Sequence, residues 1–206
     1  MKNLFKAVFL TAALFTGTAN ADQGVTDTQV LIGSNQDMSG PFAAFGAPAM
    51  EAAQLYFDEV NADGGVHGRQ IKMIVEDHGY QMPKAMSNLN KLVNSDKIFA
   101  MLLSLGTPMN IASFPLLEAK KIANVGPLSA ARQMIEPPSP YKYAGTSSYY
   151  DQMRVAVPYM AETTGIKNVC SMYIPSDFGM EIAEGTKDAV AVSGSGLTFG
   201  GETKHK

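Results

Sequence analysis

Residues 98–125, IFAMLLSLGTPMNIASFPLLEAKKIANV, carry the clearest fold signal in the chain. Residues 98–105 are nearly all apolar, as a central strand buried on both faces of a parallel sheet requires. Thr107 suits a helix N-cap and the proline after it suits the first helical position, which predicts a helix over 108–121. A short apolar run at 122–125 then predicts the next strand.

The same alternation continues in both directions from this stretch. Towards the N-terminus, the sequence predicts strands over 30–33 and 71–75, and helices over 48–63 and 83–93. Towards the C-terminus, it predicts strands over 141–146, 168–174 and 197–199, and helices over 150–164 and 178–192. Pro158 is expected to kink or interrupt its helix. About seven alternations of strand and helix predict an α/β fold with doubly wound parallel sheets.

The composition excludes several classes of protein. The chain has 206 residues, 46% apolar and 17% charged, so a packed core is expected. A net charge of −3 without a basic run argues against nucleic acid as a partner. Cys170 is the single cysteine, and the three histidines lie far apart in the sequence. We therefore expect no disulfide within the chain, no metal site and no cofactor.

Residues 1–21 have the three parts of a secretory signal peptide. A short basic start is followed by an apolar stretch over 7–17, and Ala19-Asn20-Ala21 fits the cleavage pattern. A buried N-terminal helix is the alternative. We expect cleavage after Ala21 and export to the periplasm, with no lipid anchor because Asp22 follows the cut. A lone thiol in that oxidising compartment predicts that Cys170 is buried and inert.

Three predicted strand ends carry residues suited to a ligand, since open parallel sheets bind ligands beyond the carboxyl ends of their strands. The turn-rich loop 38–46 either presents Phe45 to a cleft or packs it beneath the loop. Gly106 would let the backbone approach a ligand, and the following helix start would offer N–H groups to a carboxylate. An ordinary capped helix is the alternative there. Small and polar residues over 126–131 complete a plausible carboxylate cradle.

The sequence carries no recognisable catalytic motif. We find no dinucleotide-binding glycine fingerprint, P-loop or nucleophile elbow. Glu76-Asp77-His78 could be an acid/base or metal cluster, but successive residues at a strand end point in different directions, which favours a solvated turn. We therefore expect a binding protein rather than an enzyme, with a secreted α/β enzyme as a remote alternative.

Four segments, together with the signal peptide, resemble one known family in order and spacing. They are VLIGSNQDMSGPFAAFG (30–46), AAQLYFDEVNADGGVHGRQIKMIVEDHGYQMPKA (52–85), LLSLGTPMNIA (102–112) and PSDFGMEIAEG (175–185). From about residue 28 to the C-terminus, the chain resembles the branched-chain amino-acid (Leu/Ile/Val)-binding proteins of ABC importers. That resemblance implies the type I periplasmic binding fold, in which two α/β lobes trap a ligand between them.

The resemblance also implies a division of the chain and a set of binding residues. Residues 22–147 would form lobe one and residues 148–206 the start of lobe two. Family members run to about twice the mature length, so the resemblance implies that the rest of lobe two is missing and that this fragment exposes apolar surface. The positions that match ligand-binding positions of the family are Phe45, Leu105, Gly106, Thr107, Leu128, Ser129, Ala130, Tyr149, Tyr150 and Phe178.

Two departures from the family pattern bear on the ligand. Ala130 stands where the family has a hydroxyl, although a shift of one residue would supply Ser129 instead. Phe45 and Phe178 stand where leucine-binding members often have tyrosine. Both departures leave the site with few hydrogen-bond acceptors, which a buried ammonium group needs. The scarcity of acceptors favours an apolar or aromatic carboxylate over an ordinary α-amino acid.

The resemblance implies capture and delivery rather than chemistry. The chain would be the periplasmic substrate-binding component of an ABC importer, a monomer that holds a small-molecule ligand (an amino acid or another carboxylate) and delivers it to a permease in the inner membrane. The alternative from another class is a ligand-sensing domain of the same fold that feeds a receptor or regulator.

Overall fold

The computed structural model describes residues 23–192 and 194–205. The predicted signal peptide lies outside the described residues. Within these residues, no helix is long and apolar enough to cross a bilayer.

Parallel strands form the framework of the molecule in two separate sheets. The larger sheet has the order β2-β1-β3-β4-β5, and the smaller pairs β6 with β7. The strands are β1 Gln29–Gln36, β2 Gln70–Asp77, β3 Ala100–Leu102, β4 Ala123–Val125, β5 Lys142–Tyr143, β6 Asn168–Tyr173 and β7 Thr198–Lys204. The prediction of an α/β fold with parallel sheets is therefore confirmed.

Helices connect nearly all of these strands. They are α1 Ala43–Ala62, α2 Met82–Asn90, α3 Thr107–Ala119, α4 Tyr149–Thr164 and α5 Asp177–Val190. A π-helical turn, Lys91–Ser95, extends α2, and a short 3-10 helix, Arg132–Met134, lies between β4 and β5. Helix α4 continues through Pro158, so the interruption offered as one of the two predicted outcomes does not occur.

The main core lies between the larger sheet and its helices. Its fully packed side chains come from α2, the π-helical turn, β3, α3 and the residues just before β3 and β4: Leu89, Leu92, Val93, Ile98, Met101, Leu117 and Ile122. Burial of each large aliphatic side chain contributes roughly 1.5–3 kcal/mol to stability.

Two elements near the site differ from their predicted bounds. The predicted strand over 98–105 is continuous only as β3, because Leu103 adopts a left-handed backbone with φ of 52° that interrupts it before Leu105. Helix α1 begins five residues earlier than predicted. The cause is Asp37, whose carboxylate accepts the N–H groups of Gly40 at 2.5 Å and Phe42 at 2.8 Å just before the first turn.

The prediction that Cys170 is buried is wrong. The side chain is exposed on β6, as is that of Met172 two residues later, whereas Ser171 between them is buried. Side chains alternate across a strand, and α5 packs against one face of the small sheet. Cys170 therefore lies on the face opposite the buried Ser171.

Candidate functional site

One cavity of about 360 Å³ opens beyond the carboxyl ends of the larger sheet. Its lining residues are Phe42, Phe45, Ala49, Tyr80, Leu105, Gly106, Thr107, Leu128, Tyr149 and Phe178. Seven of these belong to the ten predicted binding residues, so the fold brings most of the predicted set together. Phe42, Ala49 and Tyr80 were not predicted.

The floor of the cavity is built by the backbone between β3 and α3. Leu105 pairs with Leu128 in an isolated parallel bridge, which joins the ends of two neighbouring strands. Gly106, rather than Thr107, occupies the N-cap of α3, with φ of 105°. L side chains rarely adopt this backbone conformation, so the entry into α3 favours glycine.

The polar feature of the floor is a pair of hydroxyl groups. Thr107 Oγ1 and Ser129 Oγ lie 2.7 Å apart and both residues are buried. Thr107 begins α3, where the first N–H groups have no acceptor within the helix and the helix dipole is positive. A hydroxyl beside such a helix start can receive a carboxylate.

Aromatic rings form most of the cavity walls. The Phe42 ring lies 4.5 Å from that of Tyr80 and 6.2 Å from that of Phe178, measured between centroids. Tyr149 and Phe178 are also 6.2 Å apart. Phe45 contributes a ring that is 67% exposed. The walls suit an apolar or aromatic body of a ligand.

Three predicted residues lie outside the lining. Ser129 stands behind Thr107, and the carbonyl oxygen of Ala130 accepts the Tyr149 N–H at 2.7 Å. Tyr150 turns away, since its hydroxyl donates to Asp188 at 2.7 Å. These three residues support the walls in this structure rather than form them.

His78 is fully buried beneath the cavity, so the predicted solvated turn is wrong at this position. Its Nδ1 accepts the Tyr80 N–H at 2.9 Å, which leaves Nε2 to donate to the Leu105 carbonyl oxygen at 3.1 Å. Burial lowers the pKa of His78 below its ordinary value of 6.5. The neutral imidazole therefore holds two lining residues in place.

Asp77 anchors the loop that carries Phe42. Burial alone would raise the pKa of Asp77, but hydrogen bonds from the Ser39 hydroxyl and from the N–H groups of Met38 and Gly79 outweigh it and hold the pKa well below 3.8. Glu76 instead pairs with Lys91 at the surface. No cluster of three His, Cys, Asp or Glu residues that suits a metal ion occurs in the described part of the chain.

The roles of Asp77 and His78 escaped the sequence analysis, although their position at a strand end was recognised. A Gly-Tyr pair directly follows them. A turn at a strand end brings backbone N–H groups towards the preceding side chains. The Gly-Tyr pair therefore indicates that Asp77 and His78 can accept hydrogen bonds from the backbone.

A family model described as periplasmic binding protein matches residues 29–206. The chain belongs to the periplasmic binding protein family. Two relatives that it matches are named as binding proteins. An amino acid binding protein of Pseudomonas aeruginosa is 24% identical over 90% of this chain and 49% of its own length. The Leu/Ile/Val-binding protein of Escherichia coli is 22% identical over 79% of this chain and 44% of its own.

Solved structures of ABC transporter substrate-binding proteins share the fold of this periplasmic binding protein. A fatty acid ABC transporter substrate-binding protein from Thermomonospora curvata matches with a TM-score of 0.80 and 31% identity, over 89% of this chain and 46% of that one. A branched-chain amino acid ABC transporter protein from Thermus thermophilus with bound valine matches at 0.77 and 25%, over 88% and 47%. The chain spans about half the length of the curated relatives it matches.

Proposed function

We propose that this periplasmic binding protein captures a small carboxylate and delivers it to an ABC permease in the inner membrane. The observation that carries the proposal is the cavity itself, in which Thr107, buried at the start of α3, lines a space walled by aromatic rings. Such a site holds a charged group at one end and an apolar body at the other.

The ligand we propose is an amino acid or a related carboxylate, and within that range we favour an apolar or aromatic carboxylate. The carboxylate would lie against Thr107 and the adjacent helix start. Phe42, Phe45 and Phe178 would contact its body. Stacking and edge contacts among rings favour aromatic ligands beyond the burial of area alone.

The proposed mechanism is lobe closure without chemical change. Residues 22–147 would form one lobe and residues 148–206 would begin the other. The ligand would dock first on the floor formed by Leu105 and Thr107. Phe178 would then close over it from the second lobe, because a ligand that contacts both lobes stabilises the closed form.

A thermal-shift panel tests this function. The protein is heated with benzoate, phenylacetate or leucine, and with benzamide and phenylacetamide, which keep the ring but carry no charge. Binding raises the melting temperature with ligand concentration, so the acids should raise it and the amides should not. Equal shifts for acid and amide, or no shift with any acid, would contradict the proposal.

A further inference from the structure

Glu181 is a buried carboxylate on α5 that does not line the cavity. Its side chain is 5% exposed. Oε1 accepts the backbone N–H of Tyr150 at 3.2 Å and that of Arg132 at 3.2 Å, and Oε2 also accepts the Arg132 N–H at 3.1 Å. One carboxylate therefore joins two segments that are distant in sequence.

Each of these contacts lies next to a cavity wall. Arg132 follows the loop that contains Leu128 and Ser129, and Tyr150 follows Tyr149 in the first turn of α4. Glu181 lies one turn after Phe178 on α5. The three segments meet at Glu181, and each contributes a residue to the cavity.

The packing of α5 on α4 supports this role independently. A Cβ atom at Gly185, one turn beyond Glu181, would lie 2.7 Å from the carbonyl oxygen of Tyr150. The absence of a side chain at this glycine thus lets α5 reach the backbone of Tyr150. Glu181 accepts a hydrogen bond from the N–H of the same residue, so α5 contacts the start of α4 at two points.

The Arg132 guanidinium lies beside the Glu181 carboxylate but contributes less to the contact than the backbone N–H groups do. Its Nε lies 3.6 Å from Glu181 Oε1, and its guanidinium also pairs with the half-exposed Glu184. Exposed pairs of this kind contribute little to stability, whereas hydrogen bonds from N–H groups to a buried carboxylate are stronger. The backbone contacts of Glu181 therefore matter more than the surface ion pair.

We infer that Glu181 is a positioning residue of the binding site, which fixes the segments of Leu128 and Tyr149 against the helix of Phe178. The inference rests on the proposed function, because the positioned residues are those proposed to bind the ligand. It predicts that affinity depends on a side chain that never touches the ligand. An uncharged hydrogen-bond acceptor at the Oε1 position should preserve most of the affinity.

Three variants of the full chain separate this role from a general effect on folding. Glu181→Ala removes the acceptor, Glu181→Gln keeps an amide oxygen for both N–H groups, and Glu184→Ala removes only the surface partner of Arg132. We expect about tenfold weaker benzoate binding for Glu181→Ala, since two buried donors lose their acceptor. The other two variants should stay within about threefold of the wild type, because they retain both backbone contacts.

Amide hydrogen exchange without ligand gives the second readout. Glu181→Ala should exchange faster in peptides covering 128–134 and 148–153, and unchanged in peptides from α1 and β2. Wild-type affinity with unchanged exchange, faster exchange across the whole chain, or a Glu181→Gln variant as weak as Glu181→Ala would overturn the inference. If the wild type binds no benzoate while exchange rises only in the two segments, the positioning role stands and the proposed ligand fails.

Discussion

His78 donates a hydrogen bond from Nε2 to the carbonyl oxygen of Leu105 across 3.1 Å, directly beneath the cavity floor. The same imidazole accepts the N–H of Tyr80 at Nδ1. One buried ring thereby ties the end of β2 to a lining residue on each side. A proton added to Nδ1 would break the bond to Tyr80, which links pH to the shape of the site.

The free energy of unfolding should fall as the pH drops below about 6.5. Burial lowers the pKa of His78 in the folded protein, so the folded state binds the proton more weakly than the unfolded chain does. Stability is therefore complete above the unfolded pKa of 6.5 and declines below it, by at most roughly 1.4 kcal/mol per pH unit. Urea unfolding at pH 7.5, 6.0 and 5.0 measures the slope.

Two histidine variants identify the source of that slope. His78→Gln should flatten it, whereas His67→Asn, which changes an exposed side chain, should leave it as in the wild type. Asp77 adds little to the slope in this range, because its carboxylate is ionised in the folded protein and largely ionised in the unfolded chain. Parallel slopes in the wild type and His78→Gln would contradict the prediction.

Asp77→Asn should destabilise the protein by about 1–3 kcal/mol at pH 7, because the N–H groups of Met38 and Gly79 lose a charged acceptor. The loss should shrink as the pH falls towards the depressed pKa, where the wild type also loses the charge. Glu76→Gln is the matched control, since it removes only a surface pair with Lys91 and should cost less than about 1 kcal/mol. Similar losses for both variants in urea unfolding would refute the assigned role.

Phe45→Ala should weaken binding of an aromatic carboxylate without lowering stability. The ring lines the cavity yet is 67% exposed, so its removal opens no core and should change the free energy of unfolding by less than about 0.5 kcal/mol. Affinity should fall about tenfold through the lost aromatic contact. Tyr56→Ala on the same helix, 64% exposed and outside the lining, should bind as the wild type does. Equal affinity of the two variants in calorimetry would contradict this assignment.

Thr107→Val should weaken carboxylate binding by about tenfold or more, because the isosteric side chain lacks the hydroxyl and leaves Ser129 without its partner. Thr107→Ser restores the hydroxyl and should recover most of the affinity. Ligand titrations of the two variants, with melting temperatures measured alongside, separate binding from folding. If Thr107→Val binds carboxylates as tightly as Thr107→Ser, the Thr107 hydroxyl does not contribute to ligand binding.

Local sequence patterns predicted the scaffold and part of the cavity, whereas Leu128, Tyr149 and Phe178 were predicted from the family resemblance. Buried strands need apolar runs such as 98–105, and helix starts favour residues such as the Gly-Thr-Pro sequence before α3. Both features can be recognised from neighbouring residues alone. Phe45 and Thr107 follow strands whose ends meet in a parallel sheet, so their convergence on one cavity could be expected.

The parts that were missed depend on contacts distant in sequence. His78 is buried because Leu105, 27 residues away, supplies an acceptor for it, and no local pattern shows that partner. Phe42 and Tyr80 meet only when the loop after β1 packs on the turn after β2. Cys170 is exposed because the small sheet has α5 on one face, a property that the residues around the cysteine do not encode.

Calorimetric titration of the full chain with benzoate and with leucine tests most directly the claim that this cavity binds an apolar or aromatic carboxylate. The account predicts saturable binding of benzoate, weakened in Phe45→Ala and in Thr107→Val, and weaker binding of leucine. Tight binding of leucine together with no response to benzoate or other simple aromatic acids would contradict it.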